Sequence, residues 1–189
     1  MNQKNQNYIQ AVKDGIDLLY KSKEFDKQIN YISNSIISST DNNKFVMIYG
    51  NGGSAADAQH FSAELVGTYK NKKRKSFKSI ALTTDTSFLT AWSNDFDFNS
   101  GLERQIEAFS NSAALSIALS TSGKSLNVLN ALKKSNLLGI ETFLISGRNC
   151  PKYDYVDHII RLPSEETSII QTYTQIMYHL ICIQLEHLE

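Results

Sequence analysis

The sequence predicts an α/β fold in three layers, a parallel sheet with helices on both faces. Five short apolar runs have the length and composition of buried parallel strands, at 45–49, 79–82, 114–119, 141–145 and 158–162. Helix-like segments separate them, at 54–68, 86–109, 124–136 and 165–188. Alternation of strands and helices is typical of a parallel sheet with helices packed on each side.

The first forty residues predict a helical segment that precedes the sheet. Residues 5–39 contain no proline, and we expect one or two helices there, broken near 22–24. Apolar residues recur at helical spacing: Ile9, Val12, Ile16, Leu19, Ile29, Ile32, Ile36 and Ile37. The chain is therefore interpreted as one domain, 1–189, in which residues 1–40 pack outside the sheet or against a neighbouring subunit.

Composition restricts the possible partners. The 189 residues suit a single domain, and 19 Lys and Arg balance 19 Asp and Glu, so bulk charge does not suggest nucleic acid or an anionic membrane as a partner. No apolar run approaches the ~20 residues of a membrane span. The polar N-terminus lacks a signal peptide, and Cys150 and Cys182 predict no disulfide. We therefore expect a cytoplasmic protein. The basic stretch 70–78 predicts a solvated loop or the rim of an anion site.

Two turns at predicted strand ends offer groups for binding an anion. Gly50-Asn-Gly-Gly-Ser54 follows the first strand and opens a helix, where free N–H groups and the helix dipole favour an anion. Ser54 would serve there as N-cap or phosphate donor. Ser120-Thr-Ser-Gly-Lys-Ser125 repeats the arrangement after the third strand. A plain turn and simple capping are the alternatives, and the low fixed charge favours a phosphomonoester over a polyphosphate with magnesium.

Histidines, a glutamate and glutamines recur at helical spacing in two segments. His60 and Glu64 share one face of the helix after the glycine turn. Gln171, Gln175 and His179 form a stripe on the last helix. If the two helices meet beside the turns, these groups suffice to remove a proton next to a carbonyl, with or without a metal. A surface pair is the alternative for His60 and Glu64. Asn94-Asp95 is either an N-cap or a hydroxyl-binding pair at the pocket rim.

These motifs resemble one protein family. The stretch 49–65, the segments 80–86 and 94–96 and the serine turn 120–125 resemble the sugar isomerase (SIS) family, of flavodoxin-like fold, in its phosphoheptose isomerase branch. The resemblance implies a homotetramer that interconverts sedoheptulose 7-phosphate and D-glycero-D-manno-heptose 7-phosphate, the first step of activated-heptose synthesis for lipopolysaccharide core or capsule. The phosphorylated seven-carbon sugar would be the substrate.

The resemblance also implies roles for individual residues. Glu64 and His179 would be the catalytic base and acid of an enediol mechanism, and one zinc ion per subunit would bind to His60, Glu64, Gln171 and His179. Residues at the following positions would bind substrate: Asn51, Gly52, Gly53, Ser54, Glu64, Asn94, Asp95, Ser120, Thr121, Ser122, Ser125 and Gln171. The phosphate would sit on the serine turn.

The chain departs from the family pattern at several positions. Thr68 and Ile170 stand where many members have arginine, and Gly147-Arg-Asn-Cys150 replaces a glycine-rich stretch. Lys124, Arg148 or a residue of a neighbouring subunit would have to supply the missing charge. Two alternatives therefore stay open: an isomerase for another ketose phosphate, and a non-catalytic SIS scaffold that binds the replication initiator DnaA. The scaffold branch lacks the equivalents of Glu64 and His179, so their presence favours an enzyme.

Overall fold

The computed structural model describes residues 1–188, and in it the predicted strands and helices are confirmed. The strands are β1 (Phe45–Gly50), β2 (Ser79–Ala81), β3 (Ala113–Leu119), β4 (Glu141–Gly147) and β5 (His158–Leu162). The helices are α1 (Gln3–Lys21), α2 (Lys23–Asp41), α3 (Gly53–Val66), α4 (Thr86–Asp95), α5 (Gly101–Phe109), α6 (Leu126–Leu137) and α7 (Thr167–Leu188). β2 stops one residue early, and the segment predicted at 86–109 is divided into two helices.

The five strands form one parallel sheet in the order β2-β1-β3-β4-β5. From β1 the chain moves outward to β2 and then returns across β1 to β3, so the direction of winding reverses between β1 and β3. Ligands in open α/β sheets bind at the carboxyl ends of the strands at such a reversal. The glycine turn follows β1 and the serine turn follows β3, so the topology places both predicted anion-binding turns at this point.

Apolar side chains of the strands alternate between two cores. In β1, Val46 and Ile48 belong to the core shared with α2, α3 and α7, whereas Met47 and Tyr49 belong to the core shared with α5 and α6. All four are fully buried. A strand buried on both faces has no polar alternation, which explains why β1 is continuously apolar in sequence. Among residues 1–188, none of the helices is both long and apolar enough to span a membrane.

The N-terminal segment consists of two helices that share one capping residue. Ser22 ends α1 and is the N-cap of α2, where its hydroxyl accepts a hydrogen bond from the Phe25 N–H at 3.1 Å. α2 packs on the sheet and on α7, so this helix covers one face of the sheet. α1 contacts α7 and leaves large side chains such as Leu18 and Tyr20 exposed. A contact with a neighbouring subunit stays a prediction.

A tyrosine of α7 forms hydrogen bonds with the backbone of α1. The Tyr173 hydroxyl donates to the carbonyl oxygens of Ala11 and Val12, each at 3.0 Å. Gly15 is buried beside it, and a Cβ at that position would lie only 2.0 Å from the Tyr173 hydroxyl oxygen. The absence of a side chain at Gly15 therefore lets the two helices approach closely.

We predict that Gly15→Ala destabilises the protein, although this substitution in a helix interior ordinarily stabilises it by roughly 0.5–1 kcal/mol. The new methyl group would overlap the Tyr173 hydroxyl and displace α1, at a cost of about 1–3 kcal/mol in the free energy of unfolding. Urea denaturation measures the sign. Gly101→Ala is the matched control, because a Cβ there meets Trp92 at an ordinary 3.5 Å. Equal effects of the two substitutions would contradict the prediction.

Candidate functional site

The glycine turn places backbone N–H groups at the start of α3. Gly52 is the N-cap, with φ +55° and ψ −121°, a conformation that favours glycine. Gly53 is the first helical residue, so Ser54 lies inside the helix, where it is buried. The prediction that Ser54 is the N-cap is therefore wrong, because the glycines let the helix begin two residues earlier, with Gly52 as its cap. Its predicted role as a phosphate donor is not affected by this shift.

The serine turn is held in place by hydrogen bonds from the end of β4 and from the segment that follows it. The Gly147 N–H donates to the Thr121 carbonyl at 3.0 Å, and the Tyr153 hydroxyl donates to the Gly123 carbonyl at 2.8 Å. Gly123 has φ +66°, and a Cβ there would lie 2.4 Å from the Cys150 sulfur. Ser125 is the N-cap of α6, but no helix N–H bonds to its hydroxyl. The turn is thus rigid, while hydroxyls and N–H groups at the start of α6 are available to a ligand.

A pair of asparagines joins the two turns. Asn51 and Asn127 exchange two amide hydrogen bonds, each 2.8 Å long, between the glycine turn and the first turn of α6. Asn127 is buried. No pattern in the sequence marks Asn127, because an asparagine in a helix has no motif and its partner is 76 residues away. This contact fixes the spacing of the two predicted anion-binding turns.

α3 and α7 meet along a series of matched contacts, as the predicted site requires. Gln171 packs against Gly53, where a Cβ would lie 2.3 Å from the Gln171 side-chain nitrogen. One turn further on, the Gln175 amide donates to the Asp57 carboxylate at 3.2 Å. Burial raises the pKa of Asp57, and the Gln175 hydrogen bond and His60 act in the opposite direction. The polar stripe of α7 therefore faces the helix that carries His60 and Glu64.

His60, Glu64 and Tyr178 form a chain of hydrogen bonds at the far end of this contact. His60 Nε2 lies 3.2 Å from Glu64 Oε1, and the Tyr178 hydroxyl lies 2.8 Å from His60 Nδ1. The side chain of Glu64 is 22% exposed and that of His60 is 47% exposed. His60 and Glu64 are therefore more than the lone surface pair that the sequence left open, since the pair is anchored to α7.

His179 lies in an aromatic environment next to His60. Its ring centroid is 5.4 Å from that of His60 and 4.7 Å from that of Tyr178, and it stacks on Tyr69 at 5.5 Å. Burial lowers the pKa of His179, and nearby His60 lowers it further, while Glu64 raises it. The imidazole is thus kept neutral near pH 7, a state in which it can both donate and accept a hydrogen bond.

The four predicted zinc ligands supply donors of the right chemistry. Zinc takes imidazole nitrogen and carboxylate oxygen, and His60, Glu64 and His179 provide both, with the Gln171 amide oxygen on the same side of α7. Among residues 1–188, however, no three His, Cys, Asp or Glu side chains are arranged to hold a metal ion. Both nitrogens of His60 already have hydrogen-bond partners. The donor types of these four side chains suit zinc. To bind it, His60 and Glu64 would have to break the hydrogen bond between them.

Asn94 and Asp95 lie apart from this cluster. They are the last two residues of α4, both exposed, and the Asn94 amide donates to the Asp95 carboxylate at 2.8 Å. The N-cap interpretation is wrong, because they end α4 and Ser100 is the N-cap of α5. Within residues 1–188 no hydrogen bond joins them to either turn. Beside them, Phe88, Trp92 and Phe96 stack along α4, which has no buried residue.

One residue of the basic stretch 70–78 is buried and has a structural role. The Arg74 guanidinium donates to the backbone carbonyls of Glu64 at 2.7 Å and Gly67 at 3.0 Å, at the carboxyl end of α3. Its Nε lies 3.8 Å from Glu186. The interpretation of this stretch as a solvated loop therefore fails for Arg74. Its charge stabilises the end of α3 and is turned away from a ligand at the serine turn.

A cavity of about 350 Å³ lies at the opposite edge of the sheet. It is bounded by α2 and by the amino ends of β4 and β5, and it contains none of the predicted site residues. Two of its polar groups bond to Glu141 beside it: Glu141 accepts from the Tyr31 hydroxyl and lies 3.0 Å from His158 Nε2. These contacts join α2 to the sheet, so we assign them a structural role.

Comparison with known proteins identifies the family of this arrangement. The family model of the SIS domain matches residues 7–147. A phosphoheptose isomerase of Syntrophotalea carbinolica is 42% identical over 182 residues, which cover 96% of this chain and 91% of that protein. A phosphoheptose isomerase of Aquifex aeolicus is 46% identical over 149 residues, 78% of this chain and 77% of the relative.

Solved structures show the same fold. A phosphoheptose isomerase from Francisella tularensis superimposes with a TM-score of 0.89 at 23% identity, covering 99% of this chain and 100% of the other. Phosphoheptose isomerase GmhA from Neisseria gonorrhoeae gives a TM-score of 0.79 at 28% identity, with 97% and 95% of the two chains covered. The predicted three-layer architecture is therefore confirmed.

We predict that His179 in metal-free protein titrates below the ordinary histidine value of 6.5. Because the folded-state pKa is lowered, protonation opposes folding: the contribution of His179 to stability is complete above about pH 6.5 and is lost as pH falls through the folded pKa. His60→Gln should raise the NMR titration midpoint and Glu64→Gln should lower it. His158→Gln, at the other edge of the sheet, is the control. A midpoint at or above 6.5 would refute this account.

Proposed function

Because the chain belongs to the SIS domain family, and within it to the phosphoheptose isomerases, we propose that it interconverts sedoheptulose 7-phosphate and D-glycero-D-manno-heptose 7-phosphate. It is thus an aldose–ketose sugar-phosphate isomerase. The observation that carries the proposal is the meeting of α3 and α7, which brings Glu64, His60 and His179 together on the helix that the glycine turn opens. The scaffold alternative has no comparable support, since both predicted catalytic residues are present.

The proposed binding mode divides the substrate between the two turns. The phosphate would contact the serine turn through Ser120, Thr121, Ser122, Ser125 and the first N–H groups of α6, because a helix start favours an anion. The sugar would lie across the glycine turn, near Asn51, Gly52, Gly53 and Ser54, with Gln171 beside them. Asn94 and Asp95 remain proposed hydroxyl-binding residues.

The proposed reaction is a proton transfer between C1 and C2. Glu64 removes a proton from C1 of the open-chain ketose, giving an enediolate with a C1–C2 double bond and negative charge on O2. His179, kept neutral by burial, donates its N–H at O2 and accepts the proton of O1. Return of a proton to C2 then gives the aldose, so no atom is gained or lost.

Zinc remains a proposed cofactor, one ion per subunit. His60, Glu64, Gln171 and His179 would hold it, and when bound it would act as a Lewis acid on the substrate carbonyl. The proposal rests on the donor types of these side chains and on the resemblance of the motifs. A place in activated-heptose synthesis for lipopolysaccharide core or capsule is likewise proposed, and a cytoplasmic location stays a prediction.

The test of function is conversion of sedoheptulose 7-phosphate in deuterated water, followed by NMR, with and without zinc and with zinc content measured on the same sample. We expect deuterium at C2 of the product. Conversion without label would still support an isomerase, but it would contradict a mechanism in which the proton on Glu64 exchanges with solvent. No conversion of this sugar alongside turnover of another ketose phosphate would replace the substrate. Inactivity with the whole panel, together with capture of DnaA, would favour the scaffold.

Glu64→Gln should lower kcat by at least about 100-fold, because the amide cannot take a proton. Substrate binding, measured by calorimetry, should persist, since the amide preserves shape and one acceptor. Glu107→Gln, an exposed glutamate on α5 paired with Arg104, is the matched control and should keep full activity. Near-normal turnover by Glu64→Gln would show that another group is the base.

We also propose a homotetramer. The support is apolar surface on two helices: Tyr8, Ile9 and Leu18 of α1 are exposed, and so is Phe96 at the end of α4, which stacks on the half-buried Trp92. Contiguous exposed apolar surface is typical of protein interfaces. Light scattering should give four times the 21.3 kDa subunit mass. Trp92→Lys should lower that mass, while Lys73→Ala should not. A monomeric wild-type protein would contradict the proposal.

A further inference from the structure

Tyr153 is a half-buried residue of the segment between β4 and β5, and its hydroxyl bonds to the serine turn. It donates to the Gly123 carbonyl oxygen at 2.8 Å. The Tyr153 ring packs on Tyr155 with centroids 5.4 Å apart, and its backbone carbonyl accepts from the Val156 N–H at 3.2 Å. Burial raises the pKa of the Tyr153 hydroxyl, so the phenol stays protonated near neutral pH and can donate. The serine turn therefore has a donor in a fixed position on its buried side.

The carbonyl that Tyr153 contacts belongs to the peptide group between Gly123 and Lys124, and the other end of this peptide also has a partner. The Lys124 N–H donates to the Ser122 hydroxyl oxygen at 3.1 Å. The C=O and N–H of a trans peptide point in opposite directions, so the two hydrogen bonds together fix the orientation of the peptide plane. Gly123 is buried and Ser122 is exposed. The carbonyl thus faces the protein, and the N–H faces the side of the turn that is open to solvent.

The hydrogen bond from Lys124 also determines how the Ser122 hydroxyl can be used. Because the oxygen accepts from that N–H, the O–H proton has no protein partner within the described part of the chain. A hydroxyl that accepts one hydrogen bond becomes a better donor for a second, since bonds in a chain polarise one another. A path of hydrogen bonds therefore leads from the Tyr153 phenol, through one peptide group, to an exposed hydroxyl of the serine turn.

We infer that Tyr153 is a positioning residue for phosphate: it holds the Gly123–Lys124 peptide so that the Ser122 hydroxyl is directed at a phosphomonoester on the serine turn. The inference rests on the proposed function for the source of that phosphate group, which is the sugar substrate. Tyr153 itself does not contact the ligand. Without the Tyr153 hydroxyl, the peptide is free to reorient, which a glycine with φ +66° permits at this position. Ser122 would then lose the N–H that orients its hydroxyl.

The direct test is the affinity of the turn for inorganic phosphate, measured from the amide NMR signals of Ser122 and Ser125. We expect Tyr153→Phe, which keeps the ring and loses only the hydroxyl, to raise the Kd about fivefold, the usual effect of one neutral hydrogen bond. Tyr155→Phe is the matched control and should keep the wild-type Kd, because among residues 1–188 the Tyr155 hydroxyl has no hydrogen-bond partner. The same Kd in wild type and Tyr153→Phe, equal losses in both variants, or wild-type signals that do not respond to phosphate would overturn the inference.

A double-mutant cycle shows whether Tyr153 acts through Ser122. If it does, Tyr153→Phe should weaken phosphate binding in the wild-type background and have almost no further effect in Ser122→Ala, because the hydroxyl that it orients is already gone. Full, independent losses in the double variant would show that the two residues act separately, and they would contradict the inference.

Kinetics connects the inference to the proposed reaction. Tyr153→Phe should raise KM for sedoheptulose 7-phosphate about fivefold and leave kcat within about twofold, because the phosphate lies far from the C1 and C2 atoms that react. Tyr155→Phe should change neither constant. If the wild type converts no ketose phosphate while the phosphate affinities differ as expected, the proposed function fails and the role of Tyr153 stands. A fall in kcat with unchanged KM in Tyr153→Phe would overturn that role.

Discussion

The close packing of α7 against α3 is the contact on which the site depends. Gly53 favours it, since a Cβ at that position would lie 2.3 Å from the Gln171 side-chain nitrogen and would displace the Gln171 amide. From this point the helices stay in register, so that Gln175 meets Asp57 and the imidazoles of His60 and His179 meet one turn further. The glycine turn therefore has two roles. Its N–H groups at the start of α3 are available to a ligand. The absence of a side chain at Gly53 lets α7 pack closely against α3.

The fold was largely predictable from sequence because its signals are local. Strands buried on both faces are continuously apolar, as in Phe45–Gly50, and the turns that follow are rich in glycine and serine. Errors arose where one residue decides a boundary. A serine before a helix-like segment predicts an N-cap at Ser54, as one of two interpretations, but Gly52, with its positive φ, takes that position. Asn94 and Asp95 end a helix instead of beginning one, and nothing in local composition distinguishes these two cases.

The site was predictable only in part, because its missing members act across long sequence distances. Spacing indicated that His60 and Glu64 share a face, but Tyr178 lies 118 residues away and has the pattern of an ordinary core aromatic. Asn127 and Arg74 carry no motif either. Asn127 forms a hydrogen bond with the Asn51 side-chain amide, and Arg74 donates to the backbone carbonyl of Glu64. Such partners become visible only when the hydrogen bonds of the folded chain are followed from each functional residue outwards.

The departures from the family pattern can be judged from the surroundings of the serine turn. Arg74 does not replace the missing arginines, because it is buried against the carbonyls of α3. Arg148 is better placed, since it follows Gly147, whose N–H bonds to Thr121 of the turn. Its ion pair with Glu165 at 3.6 Å is exposed and therefore weak, so a phosphate can compete for it. Lys124 lies within the turn itself. The phosphate would then be held mainly by hydroxyls and N–H groups at the start of α6, with the solvated cations of Lys124 and Arg148 at the rim.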